Sequence, residues 1–397
     1  MNSVILLGDP HCGKAPSQGK IGIGSSTNSR IIDQFNLLDW TLEKAIDSCC
    51  DNIIITGDVF EDPKPHHSLV VLFISWLKKC QVYGVNVHII IGNHDILRSG
   101  NVYTSTLDII SEIELDNVFV YKDINTILIG ATAFTLIPFR DRKSFGVDSN
   151  ADALELLKNS IIYELASIPA TYTKIVVGHL AIEGSIPVGD EIDDLTNELF
   201  CPVNMFTGYD CVWMGHVHKP QVMKKKDPYV AHIGSMDISN FGETDHKKII
   251  VIINCDTKVW SHQNIPTRAL KKINITVPKD TEDSTDFILN ELKQMKGFDK
   301  SIVKVEITLS SPELKSANKS IIEKYLLSKG VFNVASVSES KKASLIKRDS
   351  NNIIDTKMDV ASAIKAYASA YVDVPVRSDF IELAMEIYKS YKIEVKD

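Results

Sequence analysis

Five times before residue 220, a short run of apolar and β-branched residues stops at a glycine and hands the chain to a carboxylate, an imidazole or an amide. Ser3-Val4-Ile5-Leu6-Leu7 runs into Gly8-Asp9-Pro10-His11, and Asn52-Ile53-Ile54-Ile55-Thr56 into Gly57-Asp58. Asn86-Val87-His88-Ile89-Ile90-Ile91 ends in Gly92-Asn93-His94-Asp95, Lys174-Ile175-Val176-Val177 in Gly178-His179, and Cys211-Val212-Trp213-Met214 in Gly215-His216-Val217-His218. Near-continuous apolar runs of this length read as strands buried on both faces. Between them, residues 30–50, 68–83, 104–113 and 151–167 read as helices, the first with Ile31, Phe35, Leu38, Leu42 and Ile46 at the three-and-four spacing of an amphipathic face. Strand and helix in alternation predict an α/β chain. Polar side chains at the carboxyl ends of its strands sit where such sheets carry their sites, so the five junctions are expected along one edge of one sheet. A turn with an incidental histidine explains any one junction; it does not explain five in order.

The donor types narrow the chemistry. Carboxylate, imidazole and amide without thiolate suit manganese, iron or zinc in a reactive site better than a cysteine-rich structural zinc. There are too many donors for one ion. Two ions roughly 3.5 to 4 Å apart, sharing a carboxylate, make the arrangement that activates water and clamps both oxygens of a phosphoryl displacement. The seven cysteines include no Cys-x-x-Cys pair, and Cys12, though close to the first junction, reads as a packing residue. Reduced thiols, no basic leader and no apolar run of the roughly 18 residues a membrane span needs point to a cytoplasmic protein.

Charge is unevenly divided. Residues 1–267 carry 21 Lys+Arg against 32 Asp+Glu, whereas residues 268–397 carry 22 against 19. An acidic region still binds phosphodiesters when cations occupy its carboxylates. The Gly/Ser-rich stretch 13–29 reads as a loop at the lip of the site, and His66-His67 as an exposed loop pair rather than ligands. Helix 68–83 is apolar over much of its circumference, which calls for burial on two sides. Past Thr267 the order strand 270–277, helix 282–295, strand 302–309, helix 317–327, strand 331–337 describes a small α+β module, and its lysines serve either phosphate contact or plain solvation. A polar linker follows at 347–358. Helices 360–371 and 377–391, broken at Val374-Pro375, are too short to form a core alone and need a partner surface.

As an ordered set, Asp9-x-His11, Gly57-Asp58, Gly92-Asn93-His94-Asp95, Gly178-His179 and Gly215-His216-x-His218 resemble the motifs of the calcineurin-like metallophosphoesterases. The Gly-Asn-His-Asp form, Gly234-Ser235 followed by Phe241-Gly242-Glu243, and the C-terminal extension narrow the resemblance to the SbcD-like nuclease subunits of double-strand-break repair complexes and their archaeal, eukaryotic and bacteriophage relatives. The resemblance implies an α/β fold: a β-sandwich flanked by helices (1–266), an α+β capping domain that closes over DNA (267–346), a linker (347–358) and a helical pair (359–397) that grips an SbcC-type coiled-coil ATPase. It implies two divalent ions, usually manganese: Asp9, His11, Asp58 and His218 on the first, and Asp58, Asn93, His179 and His216 on the second. His94 would act on the transition state with Asp95 orienting its ring, and the protein would pair as a homodimer through helices 68–83 and 104–113. The implied activity is exonucleolytic and endonucleolytic cleavage of DNA; the alternatives are a phosphatase or cyclic-nucleotide phosphodiesterase of the same superfamily, or a non-catalytic DNA-end scaffold. One departure is visible: Glu61 stands where archaeal relatives carry a DNA-contacting histidine.

Overall fold

The computed structural model describes residues 2–14, 16–21, 27–99, 102–187, 198–341, 360–371 and 377–394. The linker 347–358, the break at Val374-Pro375 and part of the stretch 13–29 lie outside the described residues. The chain divides into two compact units, residues 1–309 with 314–340 and residues 310–313 with 341–397.

In the first unit the five junction strands are divided between two six-stranded sheets rather than lying in one. The first has the order Val259–Asn264, Ile249–Asn254, Ser3–Leu7, Asn52–Ile55, Asn86–Ile90, Val118–Tyr121. Its last four strands are parallel, and Ile249–Asn254 pairs antiparallel with Ser3–Leu7. The second has the order Gln221–Lys225, Tyr229–His232, Cys211–Met214, Thr173–Gly178, Thr132–Ile137, Asn125–Ile129. Three of the five junctions therefore leave the first sheet and two leave the second. Stretches of buried parallel strand read alike whichever sheet holds them, so one edge of one sheet is corrected to two facing edges.

Strand alternation builds the layers. Val4, Leu6, Ile54 and Ile90 face Phe134, Leu136, Ile175, Val177 and Trp213 across the space between the sheets. Ile5, Leu7, Ile53, Ile55 and Ile89 point the other way, onto helices α1 (Ser29–Asp47), α2 (His67–Val82) and α3 (Thr106–Glu112). Helix α4 (Asn150–Ser167) covers the outer face of the second sheet through Ala153, Leu157 and Ile161. The result is a sandwich flanked by helices. On α2, Leu69, Phe73, Trp76, Leu77 and Cys80 are buried against the first sheet, while Val71 is 61% exposed. His66 caps α2, accepting from Ser68 N–H, and both His66 and His67 are exposed, although His67 is the first residue of the helix rather than part of the loop.

The module past Thr267 has the expected order: strands Leu270–Val277, Ile302–Leu309 and Asn333–Lys341 form one sheet, with helices α5 (Ser284–Gln294) and α6 (Lys319–Ser328) between them. It belongs to the same compact unit as the sandwich. Its anchor is ionic: Arg268 clasps Asp33 of α1 with Nε and Nη2 at 2.7 and 2.6 Å, and Asp33 also meets the fully buried Arg30, which reaches Asp237 at 2.6 Å. A bidentate guanidinium–carboxylate pair fixes orientation as well as distance. In the second unit, α7 (Val360–Tyr371) and α8 (Arg377–Glu394) stack Tyr367 on Phe380. Leu383 and Ile387 of α8 are 59% and 61% exposed. Among the described residues no helix is long and apolar enough to cross a membrane.

Candidate metal centre

The five junctions converge where the carboxyl ends of the two sheets meet. Three overlapping clusters have donor atoms within 4.8 Å of one another: Asp9 with His11 and His218, His11 with Asp58 and His94, and Asp58 with His179 and His216. Asp58 belongs to two of them. Its Oδ2 lies 3.5 Å from His11 Nε2 and 3.2 Å from His179 Nε2, while its Oδ1 accepts the His94 N–H at 2.8 Å. Asn93 Oδ1 stands 2.9 Å from His179 Nε2 and 3.0 Å from His216 Nδ1. Every expected ligand thus reaches one of two adjoining groups, linked at Asp58.

The convergence strains the backbone. His11, Asp58 and His216 have φ of 44°, 48° and 75°, left-handed values that cost a side-chain-bearing residue about 1–3 kcal/mol. The glycine before a ligand is required by the ligand of another junction. A Cβ on Gly92 would lie 2.1 Å from Asp58 Oδ1, and one on Gly215 would lie 2.3 Å from Asp9 Oδ1.

Hydrogen bonds behind the donors select their atoms. His179 Nδ1 faces the Thr56 carbonyl at 2.8 Å; a carbonyl only accepts, so Nδ1 carries the proton and Nε2 is left for the centre. Asp9 accepts from Thr56 Oγ1 at 2.9 Å and from His216 N–H at 2.6 Å. His11 Nδ1 lies 2.8 Å from Glu61 Oε2, which directs Nε2 inward. Behind His218 the buried Lys248 pairs with Glu243 at 2.7 Å and donates to the His218 carbonyl at 2.9 Å, giving Glu243 of the Phe-Gly-Glu sequence a structural task. Sequence reasoning missed Thr56, Lys248 and Glu198, the last 2.5 Å from His216 Nε2. Glu198 follows the acidic residues Asp190, Glu191, Asp193 and Asp194, a composition that reads as a solvated loop.

His94 sits at the edge of the cluster, its Nδ1 2.8 Å from the Glu61 carbonyl and its ring edge-on to that of His11. Asp95 does not orient it, which corrects the expected role of that carboxylate. Asp95 Oδ1 accepts from Val59 N–H at 3.0 Å and Oδ2 from Gly92 N–H at 2.9 Å, so it fastens two loops together. A carboxylate next to a histidine in sequence need not face it; here the turn at 92–95 points Asp95 inward, 2% exposed, and leaves the ring half-buried.

The electrostatics match a cation pocket. Burial opposes ionisation of Asp58, yet His179, His94 and His11 hold its carboxyl well below the ordinary range. Burial likewise opposes charge on His179, but Asp58 and Asp9 raise it to about 10. Burial, with Lys14 assisting, lowers His11 to about 4. Imidazole nitrogens face one another at 2.9 Å (His11 with His218) and 3.2 Å (His179 with His216). Lone pairs at those separations need a proton or a cation between them. Hard and borderline donors, no thiolate and near-complete burial fit two divalent ions held by the residues named above.

A family model described as calcineurin-like phosphoesterase matches residues 3–220. The DNA double-strand break repair protein Mre11 of Methanosarcina mazei is 22% identical over 309 residues, covering 76% of this chain and 45% of the relative. A subunit of the nuclease SbcCD of Escherichia coli K12 is 24% identical over 278 residues, covering 63% of this chain and 66% of the relative. The chain spans about half the length of the archaeal proteins it matches. Among solved structures, a dimetal phosphatase from Danio rerio aligns over 66% of this chain and 95% of its own, with a TM-score of 0.42 and 12% identity.

Proposed function

Since the chain belongs to the calcineurin-like phosphoesterase family, we propose that it is a two-metal DNA phosphodiesterase with exonuclease and endonuclease activity, acting as a homodimer with an SbcC-type ATPase in DNA end processing. The observation that carries the two-metal reading is Asp58, whose Oδ2 lies within 3.5 Å of one imidazole from each ligand set. Asp9, His11, Asp58 and His218 would hold one ion and Asp58, Asn93, His179 and His216 the other, manganese being the expected metal. Bound there, the pair supplies a water activated at neutral pH and offsets charge on the attacking and leaving oxygens. Asp9 and Asp58 each commit one oxygen to a backbone N–H, which prevents the carboxylates from rotating as substrate arrives. His94, tethered through Nδ1, offers Nε2 to the phosphate; protonated, it stabilises developing charge and donates to the leaving oxygen.

DNA as substrate is supported by the names of the two relatives, a double-strand break repair protein and part of a nuclease. The cationic balance past residue 267 suits a module that contacts phosphates; residues 267–346 are assigned to that capping role. The exposed Leu383 and Ile387 of α8 suit an apolar partner surface, and 359–397 is assigned to the ATPase. Labelled duplex ends, single-stranded DNA and p-nitrophenyl phosphate, each incubated with manganese or with chelator, test the substrate. Metal-dependent cleavage of DNA supports the reading; turnover of the small ester with no attack on DNA sinks it. Removing residues 350–397 should leave that basal cleavage intact and abolish co-purification with the ATPase.

A further inference from the structure

Behind the second ligand set lies a carboxylate outside the five junctions. Glu198 Oε2 is 2.5 Å from His216 Nε2, and both residues are 8% exposed. The other ring nitrogen, Nδ1, looks into the centre, 3.0 Å from Asn93 Oδ1 and 3.2 Å from His179 Nε2. Glu198 is held by backbone tied to the same part of the fold. Its carbonyl accepts from Asn150 Nδ2 at 3.4 Å, and the two-residue strand Phe200–Cys201 that follows runs parallel to Ala181–Ile182, which begins two residues beyond His179. Leu199 and Cys201 are buried on either side of Phe200, which anchors the backbone that follows Glu198. Phe139, its ring centroid 6.0 Å from that of His216, walls another side.

We propose that Glu198 is a positioning residue for the metal centre: it accepts the Nε2 proton of His216 and so fixes the tautomer and ring angle that leave Nδ1 as the ligating atom. The inference rests on the two-cation reading of the site. An ionised carboxylate is an obligate acceptor, so a neutral His216 facing it must carry its proton on Nε2. A carboxylate behind a ligating imidazole also raises the basicity of the ligating nitrogen, and loss of such a partner weakens metal binding about 10–100-fold. Asn93 Oδ1 cannot do this work from the opposite side, because it faces the nitrogen that must stay bare. His179 takes its orientation from a main-chain carbonyl, which mutation cannot remove; in His216 the same task falls to a side chain.

The experiment uses the full chain, chelator-treated, as parent, Glu198→Ala and Glu198→Gln. Manganese titration followed calorimetrically and by electron paramagnetic resonance counts sites and affinities, circular dichroism reports folding, and nitrogen-15 correlation of the imidazoles in the metal-free protein reports tautomers. The parent should take up two manganese ions and show His216 protonated on Nε2. Glu198→Ala should keep the first ion, bind the second about 10–100-fold more weakly, and show mixed His216 tautomers. Glu198→Gln still accepts through its amide oxygen, so it should keep the tautomer and lose affinity less; if the alanine variant does not fold, this isosteric variant decides through its manganese affinity. Two ions bound with parental affinity by the folded variants, or a parent His216 protonated on Nδ1, overturn the proposal. A parent that binds fewer than two ions overturns the two-cation reading itself, a distinguishable failure.

Discussion

The main-chain carbonyl of Glu61 accepts the Nδ1 proton of His94 at 2.8 Å. A carbonyl has no proton to give, so the relationship settles which nitrogen of His94 faces outward: Nε2. The same residue approaches His11 Nδ1 through its carboxylate at 2.8 Å. Glu61 thus meets one histidine of the first group with its side chain and the outermost histidine with its backbone.

His94→Ala is expected to keep two manganese ions and lose about 10²–10⁴-fold in DNA cleavage, the range for a positioned proton donor. Asp58→Asn should lose metal and activity together. Metal analysis beside single-turnover cleavage separates the two. A His94→Ala protein that retained only one ion would move His94 into the ligand set, for which its closeness to His11 and Asp58 leaves room.

Gly92→Ala places a carbon 2.1 Å from Asp58 Oδ1 and 2.4 Å from its amide nitrogen. The backbone or the shared carboxylate must shift. Manganese affinity should fall at least tenfold, with a loss of stability above about 2 kcal/mol, as overpacked sites show. Titration and chemical denaturation report the two effects, and parental values in both would mean that the junction is more yielding than its contacts indicate.

His88 lies away from the ligands, with Nε2 3.1 Å from Asn52 Oδ1 and Nδ1 2.9 Å from the Tyr121 hydroxyl. Burial lowers its pKa to about 4. Above pH 6.5 the ring is neutral folded or unfolded; as pH falls toward 4 the unfolded chain takes a proton that the folded chain refuses, so stability declines. His88→Gln removes this contribution. The stability of the parent relative to the variant should therefore drop by about 2 kcal/mol between pH 7 and pH 5, measured by urea unfolding with chelator present. A pH-independent difference would show that His88 accepts its proton in the folded state.

If the protein pairs through α2 and α3, the pairing face holds the outward residues. Val71 is 61% and Ile109 55% exposed, whereas Phe73 is fully buried under the helix. Val71→Glu with Ile109→Glu should give folded monomers in sedimentation, and Phe73→Glu should unfold the domain. A doubly charged variant that stays dimeric would place the interface elsewhere.

The strand-then-donor junctions were legible because a parallel strand buried on both faces leaves an unbroken apolar run, and the glycine that follows marks where ligands from other junctions crowd in. The assignment of strands to two sheets was not legible, since Ile54 and Val177 meet across the interior only after both sheets have folded. The alternation of 270–277 and 302–309 announced the module's strands to the residue, while its last strand starts two residues later than the apolar pattern suggests. Hydrogen-bond partners were the least readable layer. Glu198 and Lys248 are charged residues that follow polar stretches of sequence, and their partners lie about 20 to 30 positions away.

The strand Ser3–Leu7 lies between Asn52–Ile55, made soon after it, and Ile249–Asn254, made almost at the end of the sandwich. On the ribosome, Asp9, His11, Asp58 and Asn93 emerge long before His179, His216 and His218, and one edge of the first strand stays open throughout. A nascent chain would therefore hold three of the four donors of the first group, two of the four of the second and an unpaired apolar edge for most of its synthesis, the kind of interval in which long-range β-pairing exposes a chain to aggregation. Completion of the donor cluster is a late event in the birth of this protein, and a chain interrupted before residue 218 would carry an incomplete clasp.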